Sequence, residues 1–334
     1  MDIVVTGCYG FIGSHLVREF NKISEYNVIG IDNNIRGGKA SLALLSDIEQ
    51  ANFIEGDLSD ANFVSSLANY INLNNCIIFH CAAFNGTGNF YESPFEVLKH
   101  STLPTVQLLD FLGKNKYGGK FVYFSSSEVY SWGVSCGFTS VPTPETADIV
   151  IGPPEVYRWS YGSSKAHGEY ACFAAHKTFD IDAYVVRIHN IYGPRMGFNH
   201  FIPDFIDRAL GGDYTLPGAD EARSFLFVKD LTFIIKELFL IKCPKSRIIN
   251  IGSDVETKIY DVATAIMQKL NLDPSLIQCK KSIPGSVKRR CPDISRLKSE
   301  LDRDIQFTNL DCGLNAMVNH YQNQVNLQVE REFR

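Results

Sequence analysis

Short apolar runs alternate with amphipathic stretches through the first half of the chain. Ile3-Val4-Val5 reads as a strand, Phe11 to Phe20 as a helix and Asn27 to Ile31 as a second strand. After another helical stretch, Ala51 to Glu55, Cys76 to His80 and Lys120 to Phe124 read as further strands. Between them Phe63, Leu67, Tyr70 and Ile71 recur at helical spacing, as do Val106, Leu109 and Leu112. Strands without a polar face, separated by helices, predict an α/β chain with a doubly wound parallel sheet covered on both sides.

The segment from Tyr130 to Ser160 breaks this rhythm. Pro142, Pro144, Pro153 and Pro154, with Gly133, Gly137 and Gly152, predict a loop over the carboxyl edge of the sheet. Tyr161 to Phe179 then reads as helix and Ala183 to Ile188 as strand; later, Val228 to Leu240 and Ile259 to Leu270 are helical within a looser pattern. This places a nucleotide-binding unit at 1–190, with segments returning to it from about 225–255, and a smaller α/β unit at 191–322. The polar tail, 323–334, is expected to fray.

Composition narrows the function. The 334 residues are enough for roughly two units with a sizeable core. Thirty-two Lys and Arg against 37 Asp and Glu leave a net charge of −5, so neither nucleic acid nor an anionic membrane is the expected partner. Nine cysteines without a Cys-x-x-Cys pair read as reduced thiols, with no metal site and no disulfide framework. No basic region precedes an apolar stretch at the N-terminus, and Phe233 to Ile241 is too short to span a bilayer. A soluble cytoplasmic protein acting on a small molecule is expected.

Gly7-x-x-Gly10-x-x-Gly13 lies between the first strand and the first helix, where glycines let the backbone approach a pyrophosphate at the helix N-terminus. A tight turn or close helix packing would use glycine equally. Asp32 ends the second strand, where its carboxylate can accept from a ribose diol and repel a 2′-phosphate, which favours NAD. Arg36 nearby keeps NADP as a minority option. Tyr161 and Lys165 share one helix face, so the ammonium can lower the phenol's pKa and let it take a proton from a sugar or alcohol hydroxyl. Ser125-Ser126-Ser127 follows the fifth strand at the same edge.

Together these residues resemble the extended short-chain dehydrogenase/reductases, the Rossmann-fold nucleotide-sugar epimerases and dehydratases, over nearly the whole chain. The glycine motif reads Gly7-Cys8-Tyr9-Gly10-Phe11-Ile12-Gly13; Asp57-Leu58 is similar to the family's adenine-contacting pair and His80-Cys81-Ala82-Ala83 to its fourth-strand motif. Ser125 to Tyr130 resembles the active-site serine segment, and Tyr161-Gly162-Ser163-Ser164-Lys165 the catalytic pair. Arg187 to Pro194, Arg223-Ser224-Phe225 with Asp230, and Arg290-Cys291-Pro292-Asp293 are similar to the later family segments. The resemblance implies that Gly7, Gly10, Phe11, Ile12, Gly13, Asp32, Asn33, Asp57, Leu58, Cys81, Ala82, Ala83, Tyr161 and Lys165 hold NAD. It implies that Ser125 or Ser126 orients the hydroxyl being oxidised, and that Asn190, Arg223 and Arg290 hold the diphosphate of a nucleotide-diphosphate sugar. It further implies a homodimer packed through helices around 94–113 and 161–177.

Glu128 bears on the reaction. Family dehydratases carry a Glu base at this position, commonly after an Asp acid, and here Ser127 stands in that place. The Ser-Glu pair is similar to GDP-mannose 4,6-dehydratases and to UDP-glucuronate decarboxylases. His189 to Pro194 and Gly86 to Phe90 resemble GDP-mannose 3,5-epimerase, whose catalytic Cys aligns with Glu128. A carboxylate bonded to backbone at a strand end is the plain alternative for Glu128. Ser101, where the family has Asn, and Pro104, expected to kink its helix, are further departures. The reading is an NAD-dependent nucleotide-sugar epimerase working through a transient keto sugar, ahead of a 4,6-dehydratase or uronate decarboxylase. A non-catalytic NAD-binding regulator is opposed by the retention of Tyr161, Lys165, Ser125 and Glu128 together.

Overall fold

Six strands from the first 188 residues form one parallel sheet: β1 (Asp2–Thr6), β2 (Asn27–Asp32), β3 (Asn52–Glu55), β4 (Cys76–His80), β5 (Lys120–Ser126) and β6 (Asp182–Ile188). The strand Ile248–Ile251 adds to the far edge beside β6, giving the order β3-β2-β1-β4-β5-β6 and then Ile248–Ile251. The computed structural model describes residues 1–35, 45, 48, 51–282 and 285–327. Arg36 and most of the helical stretch expected before β3 lie outside them.

Alternation along the strands builds two apolar layers. Ile3, Val5, Phe79, Val122, Phe124 and Val186 face one way, against Leu16, Val17 and Phe20 of the Phe11–Phe20 helix and Leu231, Ile234 and Ile235 of the Val228–Lys236 helix. Val4, Ile29, Ile78, Phe121, Tyr123 and Val185 face the other way, against Leu108, Leu109 and Leu112 of the Pro94–Lys114 helix and Cys172 and Ala175 of the Ser160–Phe179 helix. Each such side chain contributes about 1.5–3 kcal/mol when fully buried. A separate cluster, including Phe205, Ile206, Val262, Ile266, Met267 and Met317, forms the core of the second half.

Sheet order reverses between β1 and β4, which opens a crevice at the carboxyl ends of the strands. Two glycines bring the Ser160–Phe179 helix down onto that edge. A Cβ at Gly168 would lie 2.2 Å from the Tyr123 hydroxyl, and one at Gly162 would lie 2.7 Å from the Glu128 carbonyl oxygen. Each glycine costs about 1 kcal/mol of helix propensity relative to Ala. Their small size seats Tyr161 and Lys165 at the end of β5.

Several expectations change. β5 runs to Ser126, two residues beyond the apolar pattern, and the 130–160 loop contains a helical turn at Ser131–Ser135 and a 3-10 turn at Tyr157–Trp159. The Val228–Lys236 helix passes into a π-turn, Glu237–Ile241. The Leu310–Leu327 helix carries Leu314, Met317, Val318 and Tyr321 as a buried stripe at helical spacing, and residues 328–334 of the expected tail lie outside the described residues. The Pro94–Lys114 helix runs through Pro104 without interruption.

Behind the crevice lies a buried polar network. Arg187 donates to both oxygens of Glu169 at 2.9 and 2.6 Å, to the Tyr130 hydroxyl at 2.5 Å and to the Glu145 carbonyl at 3.2 Å. Tyr130 donates onward to Asn250 Oδ1 at 3.0 Å, tying β5 and β6 to the edge strand. Removing one member of such a pair strands the other charge in the interior. Glu169→Ala should therefore lower unfolding free energy by about 3–5 kcal/mol in denaturant titrations, and a loss below about 1 kcal/mol would contradict this account.

Candidate active site

The glycine turn is built from both of the causes that glycine can serve. Gly7 has φ +69°, and a Cβ there would come within 2.9 Å of the Ala82 backbone; a Cβ at Gly13 would lie 2.1 Å from the Gly7 carbonyl oxygen. The fold itself demands these two. Gly10 has an ordinary φ of −69°, is exposed and precedes a helix whose first turn has no side-chain cap. The uncapped N–H groups of this ten-residue helix offer donors and a positive dipole end to a pyrophosphate.

Asp32 braces this turn from the end of β2. Its Oδ2 accepts from the Tyr9 backbone N–H at 3.0 Å and its Oδ1 from that of Asn34 at 2.8 Å, which places the carboxylate at the end of β2 where a ribose diol would be met. Asn33, Ile35, Glu55, Gly56 and Asp57 line a hollow of about 330 Å³ beside it. Burial would raise the Asp57 pKa, but bonds from Ser59 and from the Asn33 side chain lower it overall. Leu58 points into the core instead, 5% exposed among β2 and β4 side chains. Cys81 and Ala82 lie beside the glycine turn, held by bonds from their backbone N–H groups to the Thr6 carbonyl and hydroxyl. Ala83 packs near Phe90 and Tyr161. An uncapped helix end, an open Gly10 and a carboxylate at the ribose position fit a dinucleotide.

Tyr161 stands at the mouth of the cleft, its ring stacked on Phe90 at 5.0 Å and 12°. Lys165 lies one turn below, its Nζ 5.7 Å from the Tyr161 ring centroid and donating to the Phe124 carbonyl at 2.7 Å. Burial pushes the ammonium down to about 8, although nearby Cys81, Cys172 and Glu169 favour its charge. The two candidate serines separate. Ser125 is fully buried and donates to Glu169 Oε1 at 2.5 Å, so its hydroxyl belongs to the polar network and the expectation that it orients substrate is corrected. Ser126 lines the cleft, as does Ser127. The period of two along β5 decides which hydroxyl faces which way.

Glu128 does not rest on backbone through its carboxylate. Its Oε1 accepts from Arg158 Nη2 at 2.9 Å and lies 2.7 Å from Arg290 Nη1. Burial would raise its pKa, but the two guanidiniums hold the carboxyl far below the usual range. Arg290 pairs in register with Arg223 on a neighbouring short strand, so two like charges lie side by side. Arg223 donates to Glu221 Oε2 at 2.7 Å, and burial beside Arg290 lowers it to about 10. Asn190, at φ +41°, joins Arg223 and Arg290 in the cleft wall. Both arginines make the ion pairs expected of plain structural residues, yet they do so inside the cleft, where adjacent guanidiniums suit a diphosphate.

One cleft of about 410 Å³ connects Phe11 and Ile12 at the helix N-terminus with Ser126, Glu128, Tyr161, Asn190, Arg223 and Arg290. Arg158 and Phe90 also line it and were missed in the sequence. Arg158 carries only the signal of lying three residues before Tyr161. Phe90 carries only its place at the end of the Gly86 to Phe90 run, because its contact with Tyr161 is made across the fold.

Comparisons with known proteins agree with this arrangement. The family model "NAD dependent epimerase/dehydratase family" matches residues 3–252. A UDP-N-acetyl-alpha-D-glucosaminuronate decarboxylase of Bacillus cytotoxicus is 31% identical over 306 residues, covering 88% of this chain and 90% of that protein. A trifunctional UDP-glucose 4,6-dehydratase, 3,5-epimerase and reductase of Arabidopsis thaliana is 28% identical over 89% of this chain, which spans only 44% of that relative's length. The UDP-glucuronic acid 4-epimerase of Bacillus cereus, solved with UDP-glucuronic acid and NAD, superposes with a TM-score of 0.82 at 25% identity, covering 97% of this chain and 100% of that one. The glycine turn, the Tyr161–Lys165 pair and a match over residues 3–252 lead to one statement: the chain belongs to the NAD-dependent epimerase/dehydratase family.

Proposed function

We propose that the protein is a nucleotide-sugar epimerase that oxidises and re-reduces one sugar carbon, C4, through a transient keto sugar. The observation that carries this reading is the contrast within the cleft. Tyr161 and Ser126 line it beside Lys165, whereas Glu128 is engaged by two guanidiniums and has Ser127 in place of a neighbouring acid. The oxidation machinery is thus present, and an acid–base pair for eliminating water is missing.

The chain's residues divide the work as follows. Arg223 and Arg290 hold the diphosphate, a role suited to paired guanidinium forks. Tyr161 takes the proton of the sugar hydroxyl as a general base, Ser126 hydrogen-bonds that hydroxyl, and charged Lys165 favours the phenolate. Bound nicotinamide supplies the hydride acceptor and donor. Once the keto sugar has turned over in the cleft, so that hydride would return to the opposite face of C4, Tyr161 gives the proton back to the C4 oxygen. Phe90, stacked on the phenol ring, keeps water from one side of it.

A uronate decarboxylase is the second reading, favoured by the 31% identical relative. A 4-keto uronate loses carbon dioxide without an added base, so it needs the same oxidation step. A homodimer is proposed as well, because the Pro94–Lys114 and Ser160–Phe179 helices expose Phe95, Leu103, Val106 and Tyr170. Among the described residues no helix is long and apolar enough to cross a membrane.

Mass spectrometry and NMR of products from a panel of UDP-, GDP- and dTDP-sugars test the reading. An isomer of unchanged mass supports it, loss of carbon dioxide supports the decarboxylase, and loss of water overturns both. Tyr161→Phe should lower turnover by about 100-fold to 10,000-fold while NAD binding persists. Unchanged biological activity of that variant would instead indicate a binding protein. The alkaline limb of kcat/KM should follow Lys165, which is charged below about 8 and loses its charge as pH rises through that value. Lys165→Met should be slow at every pH and lack this limb; a limb that survives belongs to another group.

A further inference from the structure

Arg158 is a charged residue that the chemistry above leaves without a task. It is 5% exposed, lies on the lead-in to the catalytic helix and makes one ion pair, to Glu128. Its guanidinium is fixed on both sides, 5.3 Å from the centroids of Phe90 and of Trp159. Its Nη1 is buried with no hydrogen-bond partner. Burying a guanidinium this deeply is costly, so what it holds matters. It holds Glu128 Oε1, the same oxygen that Arg290 approaches from the second half of the chain.

We propose that Arg158 is a positioning residue that, with Arg290, clamps Glu128 through its Oε1 and thereby withholds this carboxylate from the C5 proton of the keto sugar. The proposal rests on the C4-oxidation reading and applies equally to its epimerase and decarboxylase forms. A 4-keto group acidifies C5–H, and a carboxylate beside it would take that proton. The C–H electron pair would pass to the C4 oxygen as an enolate, and reprotonation from water would restore the ketone with the original hydrogen lost. Two guanidiniums on one oxygen oppose this, because a carboxylate so stabilised is a weak base. The charged and titratable groups around Glu128 are Arg158, Arg290, Arg223 and Tyr91; Arg158 and Arg290 both pair with Glu128, and of these two Arg158 is the one without a proposed role on the diphosphate.

The test uses UDP-glucuronic acid and UDP-glucose carrying deuterium at C5, incubated in ordinary water with the NAD-loaded protein. Wild type should retain the label in both product and recovered substrate, Arg158→Gln should wash it out, and Arg158→Lys should retain it. Parallel samples with deuterium at C4 report oxidation separately: failure of C4 chemistry in the wild type would sink the C4 reading, whatever happens at C5. Carbon-13 NMR of glutamate-labelled protein, with Glu128→Gln for assignment, addresses the clamp without turnover. Removing Arg158 should move the Glu128 titration up by about one to three pH units. Label loss in the wild type, label retention in an active Arg158→Gln, or an unmoved Glu128 titration would each overturn the proposal.

Discussion

The distance of closest approach between the Ser160–Phe179 helix and the end of β5 governs the site. Side chains at 162 or 168 would hold the helix off, since the Glu128 carbonyl just past β5 and the Tyr123 hydroxyl of β5 already occupy the space a Cβ would need. With glycine at both, Lys165 reaches the Phe124 carbonyl and Glu169 reaches Arg187 and Ser125. One helix thus contributes the candidate acid–base tyrosine, its ammonium neighbour and the carboxylate that anchors the network behind them. The buried pair stiffens β5 and β6 where they deliver Ser126 and Asn190 to the cleft, and this is how a cost in helix propensity becomes catalytic geometry.

Electrostatics in the cleft are organised by scarcity of water. Arg158, Arg223 and Arg290 face Glu128 and Glu221, three guanidiniums to two carboxylates. Adjacent like charges at 223 and 290 are unfavourable in the folded chain, and a bound diphosphate would relieve them. The net charge of −5 says nothing of this, because local placement and burial set the potential that a ligand meets.

Much of the fold was legible because its period is strong. β4 and the Phe11–Phe20 helix coincide with the apolar pattern, and most other elements differ at their ends, where caps and short-range bonds decide. The buried stripe of the Leu310–Leu327 helix was hidden by its polar outer face. In the site, Gly7, Asp32, Tyr161 and Lys165 were legible because they lie at fixed offsets from strand and helix ends. Ser125 was misjudged because a run of three serines carries no mark of which hydroxyl faces inward. The contacts of Arg158 and Phe90 were not legible, since their partners lie 30 and 71 residues away in sequence.

Glu128 shows why the family does not name the reaction. The residue type at this position suits a base, yet a carboxylate held by two cations in a dry site behaves as a fixed negative charge. What it can do is set by Arg158 and Arg290, which reach it from separate segments of the chain. On the proposed C4 oxidation, the fate of the C5 proton would depend on how firmly Glu128 Oε1 is held, whereas loss of carbon dioxide needs no base at all. Selectivity of this kind costs no new catalytic group; it needs only a clamp stiff enough to keep an existing one out of the chemistry.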